Sequence, residues 1–113
     1  MPKSIDRDTL LSLLNESNPP LLAEALPEKY YVDWHLPTAK HLPHDRTREL
    51  AAALFPSKEA AIVVYCASRT CQNSHIAARV LEQLGYRDVS VYPGGKQDWQ
   101  EAGLPVERSA VAA

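Results

Sequence analysis

The run Ala60-Ala61-Ile62-Val63-Val64-Tyr65 limits the fold of this chain more than any other segment. Its β-branched centre suits a strand covered on both faces, and such strands lie in the middle of parallel sheets with helices above and below. After a short polar stretch, Ile76-Ala77-Ala78-Arg79-Val80-Leu81-Glu82-Gln83-Leu84 has its apolar residues at helical spacing. Cys66 stands where the strand hands over to that helix. Open α/β sheets place their sites at such carboxyl ends.

The flanking segments extend the alternation. Either Ser4 or Asp6 can cap a first helix that runs through Leu10, Leu11 and Leu14 until Asn18-Pro19-Pro20 stops it. Leu21 to Leu26 is a short strand candidate, followed by Pro27 to Tyr31 as a one-turn helix with proline at its first position. Between Trp34 and Pro43 the prolines fix turns around one brief extended piece. Asp45 to Leu54 reads as a helix, and the helix after Cys66 should bury Ile76, Ala77, Val80, Leu81 and Leu84 before Gly85 ends it. Val89 to Tyr92 alternates as a strand, Pro93-Gly94-Gly95 turns the chain, and Lys96 to Glu101 forms a short helix closed by Gly103. The expectation is an α/β fold with a central, mainly parallel sheet and helices on both faces.

At 113 residues this reads as one domain, 1–113, with a core from about 4 to 106 and a flexible tail over 107–113. A formal charge of −2, with acids and bases interleaved, leaves no basic stripe for nucleic acid or an anionic membrane surface. The acids Asp6 and Asp8 stand where a signal peptide needs an apolar segment, and no run approaches a membrane span, so a cytoplasmic location is expected. Two cysteines are too few for a disulfide framework, and nothing in the composition implies a cofactor.

The loop Ala67-Ser68-Arg69-Thr70-Cys71-Gln72-Asn73 can turn backbone N–H groups toward the Cys66 sulfur, and the following helix adds the positive end of its dipole. Such a setting favours a thiolate, or the anion it reacts with. The competing reading makes Cys66 a small buried hydrophobe.

Three blocks carry a likeness to a known family. Trp34-His35-Leu36-Pro37-Thr38-Ala39 is similar to Gly-His-Ile-Pro-Gly-Ala; Val63-Val64-Tyr65-Cys66 precedes the Ala-Ala helix; and Tyr92-Pro93-Gly94-Gly95-Lys96-Gln97-Asp98-Trp99, with Gly103-Leu104-Pro105-Val106 behind it, is similar to a Gly-Gly-x-x-x-Trp ending. From Leu21 to Val106 the chain thus resembles the rhodanese-like family of single-domain sulfurtransferases. The resemblance implies that Cys66 takes a sulfane sulfur from thiosulfate or a persulfide donor and passes it, as a cysteine persulfide, to a thiol or cyanide acceptor. It places the anion-binding loop from Ala67 toward Asn73, and a protein sulfur acceptor is a further possible partner.

Three departures stand out. The family's Asp-Val-Arg signature would fall near Ala23-Glu24-Ala25, without its arginine. Trp34 and Thr38 replace both motif glycines, so those turns should use φ values that a side chain tolerates. The stretch from Cys66 to Ala77-Ala78 is about two residues longer than usual for the family. Gln72 stands six residues after Cys66, where a tyrosine-phosphatase-type site needs arginine, which ranks that chemistry below sulfur transfer.

A free thiol titrates near ~8.5, and lowering it by about two units requires roughly 2.7 kcal/mol. A helix dipole gives ~0.3–1 kcal/mol, so loop amides or Arg69 must supply the rest. Arg69 either docks a donor oxygen by a forked contact or points into water. Cys71 is either a resolving thiol, able to form a disulfide or trisulfide with Cys66, or a residue that packs before the helix. His35 should order its turn by a backbone hydrogen bond, His41 and His44 lack the further ligands zinc needs, and His75 reads as a solvated surface residue near a helix start. Trp34 and Trp99 should pack, Trp99 between the last helix and the sheet. The alternative to an enzyme is a catalytically weak rhodanese-like module that binds a partner or senses redox state through Cys66 and Cys71.

Overall fold

The computed structural model describes residues 2–108. Five parallel strands form one sheet in the order β1-β5-β4-β2-β3: β1 Lys3–Ser4, β2 Leu21–Glu24, β3 Lys40–His41, β4 Ala61–Tyr65 and β5 Asp88–Tyr92. The apolar run around Val63 therefore lies at the centre, paired on one side with Leu21–Glu24 and on the other with Asp88–Tyr92. The helices are α1 Arg7–Leu14, α2 Glu28–Asp33, α3 Thr47–Leu54, α4 Asn73–Gln83 and α5 Gly95–Glu101.

Strand periodicity sorts the core into two layers. Ile62, Val64, Val89 and Val91 face one way and meet Ala51 and Phe55 around α3 and Ala77, Ala78 and Leu81 of α4. Val63, Tyr65 and Tyr92 face the other way and meet Leu10 of α1 and Trp99 of α5.

Some expectations shift by a turn or a face. Ser4 pairs with Val91 in β1 instead of opening a helix, and Asp6 caps α1 by accepting from Thr9 N at 2.8 Å. Pro27 precedes the first turn of α2 instead of occupying it, and the helix continues to Asp33. The third helix is entered through a 3-10 turn, His44–Arg46, and becomes α-helical at Thr47. In α4, Ile76 is 41% exposed while Ser74, Ala77, Ala78 and Leu81 are buried. Those four positions recur at helical spacing, and the two alanines seat the backbone close against β4 and β5, which rotates Ile76 outward. Thr38 does not avoid the glycine conformation but adopts it, with φ 69. Its amide donates to Glu107 Oε1 at 2.8 Å.

Glu107, expected in the tail, exchanges backbone hydrogen bonds with His35 in an antiparallel bridge. Trp99 Nε1 donates to Pro105 O at 2.8 Å, which ties that last stretch to the core. The remainder of the expected tail, 109–113, lies outside the described residues. Among the described residues, no helix is long and apolar enough to cross a membrane.

Candidate active site

β4 delivers Cys66 to the carboxyl edge of the sheet, as its position in the sequence implied. Two backbone bonds then fix the exit: Lys96 N donates to Cys66 O at 2.9 Å, and Gln97 N donates to Ala67 O at 2.9 Å. The approach is tight because Gly95 has φ +61, and a Cβ there would stand 2.3 Å from Cys66 O. Only glycine permits both the conformation and the contact. The Gly94-Gly95 pair therefore serves the cysteine as well as the turn.

Beyond Ala67 the chain folds back in a turn in which Cys71 N donates to Ser68 O at 3.0 Å, with the hydroxyls of Ser68 and Thr70 3.2 Å apart. Arg69 and Thr70 form its exposed tip, Cys71 is half-buried, and Gln72 leads into α4 at Asn73 without a side-chain cap. The turn forms a roof over Cys66, which is 2% exposed. The thiol donates to Cys71 O at 3.4 Å, leaving its sulfur to accept from the Ser74 hydroxyl at 3.3 Å.

This geometry corrects the expectation of a thiolate cradled by amides. Burial first, and then the Cys71 side chain, push the Cys66 thiol up to about 11, while the hydroxyl and the amide of Ser74 pull in the other direction. A carbonyl oxygen facing a sulfur stabilises the S–H form, because an acceptor repels the anion. Sequence reasoning located the loop but not the sense of its peptides. Ser74, whose side chain assists ionisation, was missed, although a serine in the first turn of a helix following a cysteine was the available signal.

Arg69 makes no ion pair among the described residues, and its guanidinium lies at the wall of a cavity of about 660 Å³ that Arg7, Tyr92, Gly94 and Asp98 also line. Arg7 pairs with Asp98 at 3.0 Å, and the Tyr92 hydroxyl donates to the same carboxylate. Cys66 is not among the residues that line this cavity.

A buried ion pair lies behind the cysteine. Lys96 Nζ stands 3.3 Å from Glu24 Oε2, donates to Tyr30 O at 2.7 Å and sits 4.6 Å over the Trp34 ring. Tyr65 OH donates to the other Glu24 oxygen at 2.9 Å and accepts from Leu36 N at 3.1 Å. Burial raises the Glu24 carboxyl and lowers the Lys96 ammonium, and each partner opposes the shift of the other. The cluster was not foreseen, although a glutamate inside Leu21-Leu22-Ala23-Glu24-Ala25-Leu26 was its signal. Trp34 also meets the lysine instead of only packing.

His35 orders its turn by donating from Nδ1 to Tyr31 O at 2.8 Å, and its ring stacks on Tyr31 at 4.0 Å. His41 Nε2 is bonded to Leu26 O at 2.6 Å. His75 is half-buried.

Similar proteins fix the family. The chain is 30% identical over 89 residues to an HTH-type transcriptional regulator of Mycobacterium tuberculosis, a match covering 79% of this chain and 38% of that protein. It therefore spans well under half of that curated relative. A rhodanese-like domain of the Alr3790 protein from Anabaena sp. superposes with a TM-score of 0.81 at 25% identity, covering 99% of this chain and 83% of that one. A polysulfide-sulfur transferase homodimer from Wolinella succinogenes gives 0.77 at 20% identity, over 96% and 80% of the two chains, and shares the fold. The rhodanese-like domain pattern itself runs from residue 6 to residue 102, and with the cysteine at the carboxyl end of the central strand the chain belongs to the rhodanese-like domain family.

Proposed function

We propose that this domain is a sulfurtransferase that moves a sulfane sulfur from thiosulfate or a persulfide to a thiol or cyanide acceptor through a Cys66 persulfide. The observation that carries the reading is the placement of Cys66 immediately beyond β4, under a loop whose far end begins α4 and brings Ser74 to the sulfur. In the first half-reaction the Cys66 sulfur attacks the outer sulfur of the donor, forming an S–S bond as sulfite or a thiolate departs with the bonding pair. In the second, an acceptor thiolate or cyanide attacks the outer sulfur of the persulfide and returns Cys66 as thiolate. Arg69, exposed at the loop tip and without an ion pair among the described residues, serves the oxyanion of the donor.

With the thiol pushed up to about 11, Cys66 is protonated at neutral pH in the donor-free protein. Activation therefore accompanies donor binding: the 67–73 loop must turn the Cys71 carbonyl away and present amides in its place. Burial of the sulfur is also the observation behind a second reading, a rhodanese-like module with little turnover. The two part on labelling. Treatment with thiosulfate, mercaptopyruvate or glutathione persulfide should add one sulfur atom to the intact mass, and Cys66→Ser should abolish the gain and the transfer to cyanide. If Cys66→Ser keeps full activity while Cys71→Ser loses it, the nucleophile is misassigned; if no donor labels the protein, the module reading replaces the enzyme.

A further inference from the structure

The chain carries two cysteines, and the fold stacks one over the other. Cys71 closes the Ser68–Cys71 turn, and its own carbonyl lies 3.4 Å from Cys66 Sγ. Because a carbonyl oxygen is about 2.4 Å from the Cα of its own residue, the Cys71 Cα is within about 6 Å of that sulfur. The Cys71 side chain also disfavours ionisation of the Cys66 thiol. Cys71 is half-buried, whereas Cys66 is 2% exposed.

A sulfane sulfur on Cys66 disturbs this arrangement first. It would be bonded about 2.05 Å from Sγ, and along the direction of the present S–H bond it would collide with the Cys71 carbonyl. Loading therefore shifts the Cys71 peptide, releases its hydrogen bond and frees the half-buried thiol beside the persulfide. An external acceptor has to enter a covered site, whereas Cys71 is already there, five residues along the same short loop.

We propose that Cys71 resolves the Cys66 persulfide, so that the domain reduces sulfane sulfur to sulfide and is left with a Cys66–Cys71 disulfide. The step rests on the persulfide reading given above. The Cys71 thiolate attacks the inner sulfur, Sγ of Cys66; a bond forms between the two cysteine sulfurs as the Cys66–sulfane bond breaks, and hydrosulfide leaves with its electron pair. Two thiols lose one electron each and the sulfane sulfur gains two, so no other oxidant enters. Hydrosulfide is a better leaving group than a cysteine thiolate because its acid is stronger. A dithiol reductant then reopens the disulfide, and the acceptor class is thereby extended from external thiols and cyanide to a thiol of this chain.

The experiment treats the reduced domain anaerobically with excess glutathione persulfide, quenches with an alkylating agent, and reads intact mass, peptide linkage and released sulfide together. The wild type should release one equivalent of sulfide per chain beyond any released by the donor alone and yield a cross-linked Cys66–Cys71 peptide two hydrogens lighter. Cys71→Ser, which keeps the roof backbone, should hold one added sulfur on Cys66 and release no such sulfide. A wild type that keeps its Cys66 persulfide without cross-link or sulfide overturns the proposal while leaving the persulfide reading intact, whereas added sulfur found on Cys71 alone overturns the Cys66 assignment as well. Absence of label in both proteins overturns the two together.

Discussion

At Cys66 two neighbours compete for one sulfur. The Cys71 carbonyl holds the proton in place, and Ser74 offers a hydroxyl and an amide to the anion. Burial decides the balance and keeps the thiol up to about 11 in the donor-free protein. Reactivity should therefore rise with pH, because the thiol is the uncharged form and each unit below its midpoint leaves tenfold less thiolate. In donor-free Cys71→Ser, where Cys66 is the one thiol to react, burial still disfavours the thiolate, and the alkylation rate should climb with unit slope from neutral pH past pH 8. A plateau already reached by pH 8 contradicts the closed roof. In that background Ser74→Ala should slow alkylation at pH 8 by about fivefold, since one hydrogen bond is worth about 1 kcal/mol. The position of Cys66 was legible because the strand before it is fixed by residue type alone. The sense of the Cys71 peptide was not, because it depends on backbone torsions of a loop in which no proline or glycine dictates them.

Between elements, the meeting of β4 and α5 depends on a residue without a side chain. Gly95→Ala places a Cβ 2.3 Å from Cys66 O and strains a φ of +61, whereas Gly103→Ala, at φ +69, meets nothing within 4 Å. Urea unfolding should show Gly103→Ala losing about 1 kcal/mol from backbone strain alone. Gly95→Ala should lose more, about 3 kcal/mol, and lose persulfide formation with it, because the Lys96 N–Cys66 O bond cannot persist. Equal losses for the two variants would show that the close contact is not what fixes the cysteine. The Lys96 side chain joins β2, α2 and α5 through Glu24, Tyr30 and Trp34. Lys96→Met leaves the Glu24 carboxylate buried without its cation, a loss of roughly 3–5 kcal/mol by urea unfolding. The double variant Lys96→Met with Glu24→Gln should recover part of it, and an additive double variant would refute the coupling. Element types were legible from periodicity, from Pro19-Pro20 and from Gly85, but this cluster was not. Its partners are far apart in sequence, and only the crossover of the sheet brings Glu24 and Lys96 together.

Across the whole molecule, the two apolar layers share their strands. Ile62 and Val64 belong to the layer under α3 and α4, while Val63 and Tyr65, interleaved with them, belong to the layer under α1 and α5. Moving β4 therefore disrupts both at once. The sequence made the sheet and its two coverings legible because alternation of strand and helix leaves few other packings. It did not reveal the order with β1 at one edge, since the pairing of Lys3–Ser4 with Ser90 and Val91 depends on two residues with no strand pattern. Shared strands also predict how the domain unfolds. Trp99 is buried in the second layer and Trp34 packs against it, so indole fluorescence reports that side alone. Leu81→Ala opens a cavity in the first layer, on the opposite face, and should cost about 2–5 kcal/mol. If the layers are one cooperative unit, the fluorescence transition in urea moves to lower concentration by the same amount as far-ultraviolet circular dichroism, and the two remain superimposable. A variant whose dichroism shifts while its tryptophan transition stays at the wild-type midpoint would show two independently melting layers. The roof over Cys66, carried by a β4 common to both, would then open without global unfolding.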